Sequence, residues 1–173
     1  EYSQASLGTL YLTQKDIKRG YKYFQKREKS PEIRTLKNLW NGETQTDKIL
    51  LFYCDQGYGD HIQFIRYIPF LTDKFKTIKV LTRTNCLELF KRSYPKDKYP
   101  NIEFYDELTN ISNYDYYVLA SDVPYYLNMD FDHIPYPNGY LTYNKDKFEY
   151  FKEKFASHKS ERHKQWHSDK HFT

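Results

Sequence analysis

The chain is short of the residues that disulfide scaffolds and phosphate-binding loops depend on: two cysteines and six glycines in 173 residues. Cys54 and Cys86 cannot build a disulfide framework, and two isolated thiols make no zinc pattern. They fall in a predicted strand and a predicted helix, so buried reduced thiols are expected. The few glycines exclude a Gly-rich disordered chain. No apolar run approaches the ~20 residues that span a bilayer. No signal-peptide pattern stands at the start, which is Glu1 rather than Met. A cytoplasmic protein without a membrane span is the expectation. Tyrosine, by contrast, is abundant, with nineteen copies on a chain of net charge +4. Stacked tyrosines can hold single-stranded nucleic acid. Here basic residues are scattered among acids and no RNP or OB-type pattern occurs, so no nucleic-acid partner is expected.

The most informative stretch is DKILLFYCDQGYGDHIQFIRYIPFL, from Asp47 to Leu71. It reads as a buried strand (Ile49 to Cys54), a glycine-bearing loop (Asp55 to Asp60) and a helix from His61, with Ile62, Ile65 and Ile68 at helical spacing. Pro69 should kink that helix or end its regular part. Gly57 and Gly59 can take positive φ without a Cβ penalty and let the chain approach a ligand closely. The third glycine of G-x-G-x-x-G is absent, since Gln63 and Phe64 occupy that region, and no Lys-Ser/Thr pair follows, so a P-loop is excluded. Two roles are open to Asp60: an N-cap accepting a first-turn amide, or a general base activating an acceptor hydroxyl.

Around this block the chain alternates. Strands are predicted near Thr77–Leu81, Ile102–Tyr105 and Tyr116–Leu119, with a helix over Asn85–Arg92. Such βαβαβ order predicts an α/β fold, a Rossmann-like parallel sheet with helices on both faces. Upstream, residues 5–12 and 15–28 read as a helical hairpin, with Leu7, Leu10 and Tyr11 facing Ile17, Tyr21 and Phe24. A lone hairpin cannot bury its own core. The domain reading is a hairpin at 1–30, a connector at 31–47 in which Trp40 packs on the domain, an α/β domain at 48–157 and a disordered tail at 158–173. Ligands in parallel sheets bind outside the carboxyl ends of the strands. That puts Asp55 to Asp60, Thr82 to Asn85 and Ala120 to Pro124 on one rim. Arg83 there can pair with an anion or stay solvated. Ser121 and Asp122 can bind hydroxyls or cap a helix, and Gln63 and Arg66 can line the cleft or serve the fold.

The sequence Gln56-Gly57-Tyr58-Gly59-Asp60, then Ile62-Gln63-Phe64, Arg66-Tyr67, Pro69 and Leu71, resembles a bacterial family. It is similar to the glycosyltransferase-like domain that follows tetratricopeptide repeats, distantly related to the heptosyltransferases. Trp40-Asn41-Gly42, Asp115, Ser121 with Pro124, Ile134-Pro135 and Tyr140-Leu141 match the family's further landmarks in order. Gly20-Tyr21 and Tyr23…Arg27 resemble the last hairpin of the repeat array. The chain departs at Asp55, where the family usually has Glu, and at Tyr58, usually a smaller aliphatic residue.

The resemblance implies the N-terminal, acceptor-side half of a GT-B fold. Asp60 would be the catalytic base, and Gln56, Gly57, Gly59, Gln63, Arg66, Arg83 and Ser121 would bind substrate. The partners implied are a nucleotide-sugar donor and a glycan or protein acceptor. Neither cofactor nor metal is expected. The family's second domain opens with a Gly-rich strand near where His158 stands, and no such pattern follows, so a chain lacking its donor half, inactive alone, is expected. The histidines His158, His163, His167 and His171 are read as part of a solvated tail rather than a metal site. The competing expectation is a non-catalytic binding or scaffold module, with a protein partner docking near Tyr11, Tyr21 and Tyr23.

Overall fold

The computed structural model describes residues 3–168, with side chains to Ala156. It divides into two compact units, residues 1–141 and 142–173. The first begins with a helical hairpin, α1 (Gln4–Thr13) and α2 (Ile17–Phe24). Ser3 caps α1 by accepting the Ser6 amide, and Asp16 caps α2 by accepting that of Arg19. A short α3 (Pro31–Thr35) starts with Ser30 as cap and proline at its first position, where the missing N–H costs nothing.

The sheet then forms from β1 (Gln45–Tyr53), β2 (Phe75–Leu81), β3 (Ile102–Tyr105) and β4 (Tyr116–Leu119), all parallel in the order β3-β2-β1-β4. Helix α4 (Tyr58–Phe64) follows β1 and tightens into a 3₁₀ turn over Ile65–Phe70 that contains Pro69. Helix α5 (Thr84–Ser93) joins β2 to β3, and α6 (Val123–Tyr126) follows β4. Strand alternation sends Leu50 and Phe52 to one face and Leu51 and Tyr53 to the other. The first face holds the larger core, with Phe64, Cys86, Phe90, Val123 and Tyr21 of the hairpin. The second is thinner, covered by Ile33 of α3 and by Leu108 and Ile111. The α/β Rossmann-like arrangement expected from the sequence is what forms, with unequal cover on its two faces.

Trp40 is fully buried between Phe75 and Tyr126, and its indole donates to the Glu43 carbonyl at 2.7 Å. Its backbone N–H and the carbonyl of Asn38 pair with Tyr117, so the connector adds a short rung beside β4. Both thiols are free and buried. Two expectations need correcting. Gly57 has φ −87, Gly59 is not in the left-handed region, and the residue at positive φ is Gln56 (φ 73). The loop therefore turns on a glutamine, and the glycines contribute open space instead. Tyr21 is buried against Phe64, so only Tyr11 and Tyr23 of the proposed docking tyrosines remain partly exposed.

The second unit contains α7 (Lys145–Ser168), with Phe148, Phe151 and Phe155 exposed along one stripe. The backbone is helical to Ser168, where the sequence reading expected a disordered tail from 158. The side chains of the four tail histidines, and residues 169–173, lie outside the described residues. Among the described residues no helix is long and apolar enough to cross a membrane, and no group of acidic, histidine or cysteine side chains is placed to hold a metal ion.

Candidate functional site

In a sheet ordered 3-2-1-4 the chain leaves β1 in one direction and returns to β4 on its other side. The carboxyl ends of β1 and β4 therefore form a switch point where a crevice opens. Asp55 follows β1 and Ser121-Asp122 follow β4, so two carboxylates meet there with a hydroxyl. Arg27, three residues beyond α2, enters between them. Its Nη1 donates to Asp122 Oδ1 at 2.5 Å, and its Nη2 donates to Asp55 Oδ2 at 2.6 Å and to Ser121 Oγ at 2.5 Å. The Ser121 hydroxyl in turn donates to Asp55, 2.9 Å from Oδ1. The side chains are 8% exposed for Arg27 and 3% for each aspartate. Burial alone would lower the guanidinium's pKa, but Asp122 and Asp55 outweigh it and hold it above its ordinary value. Burial pushes the Asp122 carboxyl up, against the pull of Arg27.

Beside this network lies a cleft of ≈ 730 Å³ along the carboxyl ends of β1, β2 and β3. Its floor includes Tyr53, Cys54, Asp55 and Gln56 from the β1 end, and Thr82 and Arg83 from the β2 end. One wall is the segment leading from Arg27 into α3, including Lys29 and Glu32; Asp106 and Glu107 after β3 lie in the same lining. Tyr53 donates its hydroxyl to Glu32 at 2.9 Å. His61 is buried with Nδ1 2.9 Å from the Thr82 hydroxyl, and burial holds its pKa below the ordinary value, so the ring is neutral at pH 7. Arg83 donates to the Gln56 carbonyl at 3.0 Å and lies over the Tyr58 ring, which braces the left-handed turn at Gln56. Burial raises the pKa of the Cys54 thiol, as it does that of Cys86, which leaves both unreactive at neutral pH.

Of the residues singled out in the sequence, Gln56 and Arg83 line the cleft. Ser121 lies behind its wall as part of the Arg27 network. Asp60 is not the N-cap of a helix starting at His61: α4 starts at Tyr58 with Gly57 as its N-cap, and Asp60, the third helical residue, accepts the Gly57 amide at 3.0 Å and is not part of the cleft lining. Gly57 at the N-cap of α4 and Gly59 in its first turn are both exposed, with no atom closer than 3.5 Å to a side chain built there. Gln63 is exposed on α4, and Arg66 stacks over Tyr140 at 4.4 Å. Sequence reading missed Arg27, Glu32, His61, Asp106 and Glu107. Arg27 had a signal only in the Tyr23…Arg27 pattern, whereas Asp55 was placed on the rim at the end of the first strand. Partners 28 and 95 positions apart leave no local period to read. Compared with family models, curated proteins and solved structures, the chain matches none.

Proposed function

We propose that the chain is the acceptor-side domain of a glycosyltransferase of GT-B type. It would hold a glycan acceptor at the carboxyl ends of β1 to β3, while a different domain carries the nucleotide-sugar donor. The observation that supports this most is the cleft. Its ≈ 730 Å³ fall within the range of small-molecule sites, and its lining alternates carboxylates, cations and a tyrosine. Sugar hydroxyls donate and accept hydrogen bonds together, and such a lining answers both. The motif block from Gln56 to Leu71 adds the lineage. The resemblance makes Asp60 the base; because its carboxylate lies outside the cleft lining, the acceptor hydroxyl it would activate must project past Gln56 at the rim. Buried free thiols and the absence of a membrane-crossing helix among the described residues are consistent with a cytoplasmic setting.

Titrating the ¹⁵N-labelled chain with a neutral hexose is expected to move amides at Tyr53 to Gln56, Thr82-Arg83 and Asp106 to Thr109, with millimolar affinity. In a two-domain assembly that transfers sugar, Asp60→Asn should lower kcat by about 10²–10⁴-fold with little change in KM. An unchanged kcat leaves Asp60 as a helix cap and nothing more. The second reading, a non-catalytic module with a protein partner on the hairpin, is favoured by the capping bond of Asp60. Its surface would be the stacked Tyr11–Tyr23 pair with Arg19 over Tyr11. It predicts no response of the cleft to any sugar.

A further inference from the structure

The charge of the cleft runs against the charge of the chain. Five carboxylates line it against three cations, on a protein of net charge +4. Of the three cations only Arg27 is buried and matched by carboxylates; Lys29 is half-buried, Arg83 is exposed, and both bond neutral carbonyls that leave their charge in place. Arg27 is shared between two buried carboxylates, Asp55 and Asp122. Lys29 donates to the Gln25 carbonyl at 2.9 Å, and Arg83 is taken by the Gln56 carbonyl and the Tyr58 ring. The carboxylates differ in kind. Glu28 has Arg34 at 2.8 Å, but among the described residues Glu32 receives the Tyr53 hydroxyl, Asp106 the Thr84 hydroxyl at 3.1 Å and Glu107 the Thr109 hydroxyl at 3.4 Å, with no cation. Neutral partners orient a charged group and leave its charge in place, for Lys29 and Arg83 as for these carboxylates, so two unmatched cations stand against three unmatched carboxylates. His61, the titratable ring in the lining, is kept uncharged by burial and cannot offset them.

A lining of this kind repels phosphate and carboxylate ligands and accepts hydroxyl and ammonium donors. We infer that the cleft selects a cationic polyol, an amino sugar or an acceptor carrying an amine beside its hydroxyls, with the ammonium received by Glu32, Asp106 and Glu107. The polyol half of this statement rests on the sugar-acceptor reading; the cationic half rests on the charge of the lining. The excess of carboxylates disfavours a nucleotide or sugar phosphate in the same cleft, so the donor's diphosphate is expected to bind elsewhere.

Four probes separate the two halves: glucose, glucosamine, ethanolamine and glucose 6-phosphate, each titrated at low ionic strength while cleft amides are followed by NMR. Glucosamine is expected to bind about fivefold tighter than glucose, the size of one partly exposed ion pair, and glucose 6-phosphate weaker than glucose. The preference should shrink in high salt. Asp106→Asn with Glu107→Gln should bring the glucosamine-to-glucose ratio toward one; an unchanged ratio removes those residues from the assignment. If glucosamine binds no tighter than glucose, or the phosphate binds best, cationic selection is wrong while the sugar reading stands. If ethanolamine moves the cleft and glucose does not, the sugar reading is wrong and the charge selection stands. Silence from all four overturns both.

Discussion

Arg27→Met is expected to lower the unfolding free energy by about 3–5 kcal/mol, measured by urea denaturation at pH 7. Methionine keeps most of the aliphatic stem and loses the guanidinium, which lies over the Phe24 ring at 4.7 Å, so the loss reports the charged head rather than the packing of the stem. What remains is two buried carboxylates at the switch point, of which Asp55 keeps the Ser121 hydroxyl as a neutral donor. Removing one member of a buried ion network strands the others without water or counter-charge, and that penalty exceeds the net worth of the intact pair. Arg27 also ties the hairpin to the ends of both β1 and β4, so hydrogen exchange in α1 and α2 should accelerate more than in β1. A loss below about 1 kcal/mol would class the network with solvated surface pairs and contradict its burial.

The matching control is Asp122→Asn, which leaves one carboxylate for one guanidinium and keeps an oxygen for Arg27. The Asp122 carboxyl is held above its ordinary value of 3.8, chiefly by burial. The folded state therefore binds this proton more tightly than the unfolded state does. The stability it contributes is complete below that ordinary value and is lost as pH rises toward the raised one. Asp122→Asn should flatten this part of the stability–pH curve, whereas Arg27→Met should steepen it, because the remaining neighbour, Asp55, disfavours the charged form.

The sheet was legible because its signals are local. Runs such as Ile49 to Cys54 are apolar on both faces, as buried parallel strands require, whereas the regular helix ends at Phe64, before Pro69, which lies inside the 3₁₀ segment. The strands over Ile102–Tyr105 and Tyr116–Leu119 fall where they were expected. The site was legible at Asp55, Gln56, Thr82 and Arg83, which follow the strand ends directly. Arg27 was out of reach because it belongs to the hairpin in sequence and to the sheet in space. Asp60 shows the reverse limit: the same carboxylate satisfies a capping pattern and a catalytic pattern, and local spacing cannot rank them. The left-handed turn at Gln56 was assigned to glycine because glycine adopts it most cheaply. Here Arg83 holding the Gln56 carbonyl stabilises it in a residue that carries a Cβ.

Gly8→Ala, a single added methyl, is expected to cost about 1–3 kcal/mol, even though alanine is the better helix former by about 1 kcal/mol. A Cβ on Gly8 would lie 2.4 Å from the amide nitrogen of Phe24, 2.8 Å from its Cα and 2.9 Å from the Gly20 carbonyl oxygen. All three atoms are backbone, so the new methyl can be accommodated only by moving α2 off α1. Gly20→Ala is the milder case, because its closest neighbour is the Leu12 side chain at 2.5 Å, which has other rotamers. Gly59→Ala meets nothing within 4 Å and sits in α4 at ordinary φ, so it should gain a few tenths of a kcal/mol or more. Equal stability of Gly8→Ala and the parent chain would mean that the hairpin is not closely packed. Phe24 is also the last residue of α2, three positions before Arg27, so displacing α2 withdraws the guanidinium from Asp55 and Asp122. Gly8→Ala and Arg27→Met should then lose less together than the sum of their separate losses. Simple additivity would show instead that the segment between Phe24 and Arg27 absorbs the movement, and that hairpin packing and the switch-point network are separate supports of the same wall of the cleft.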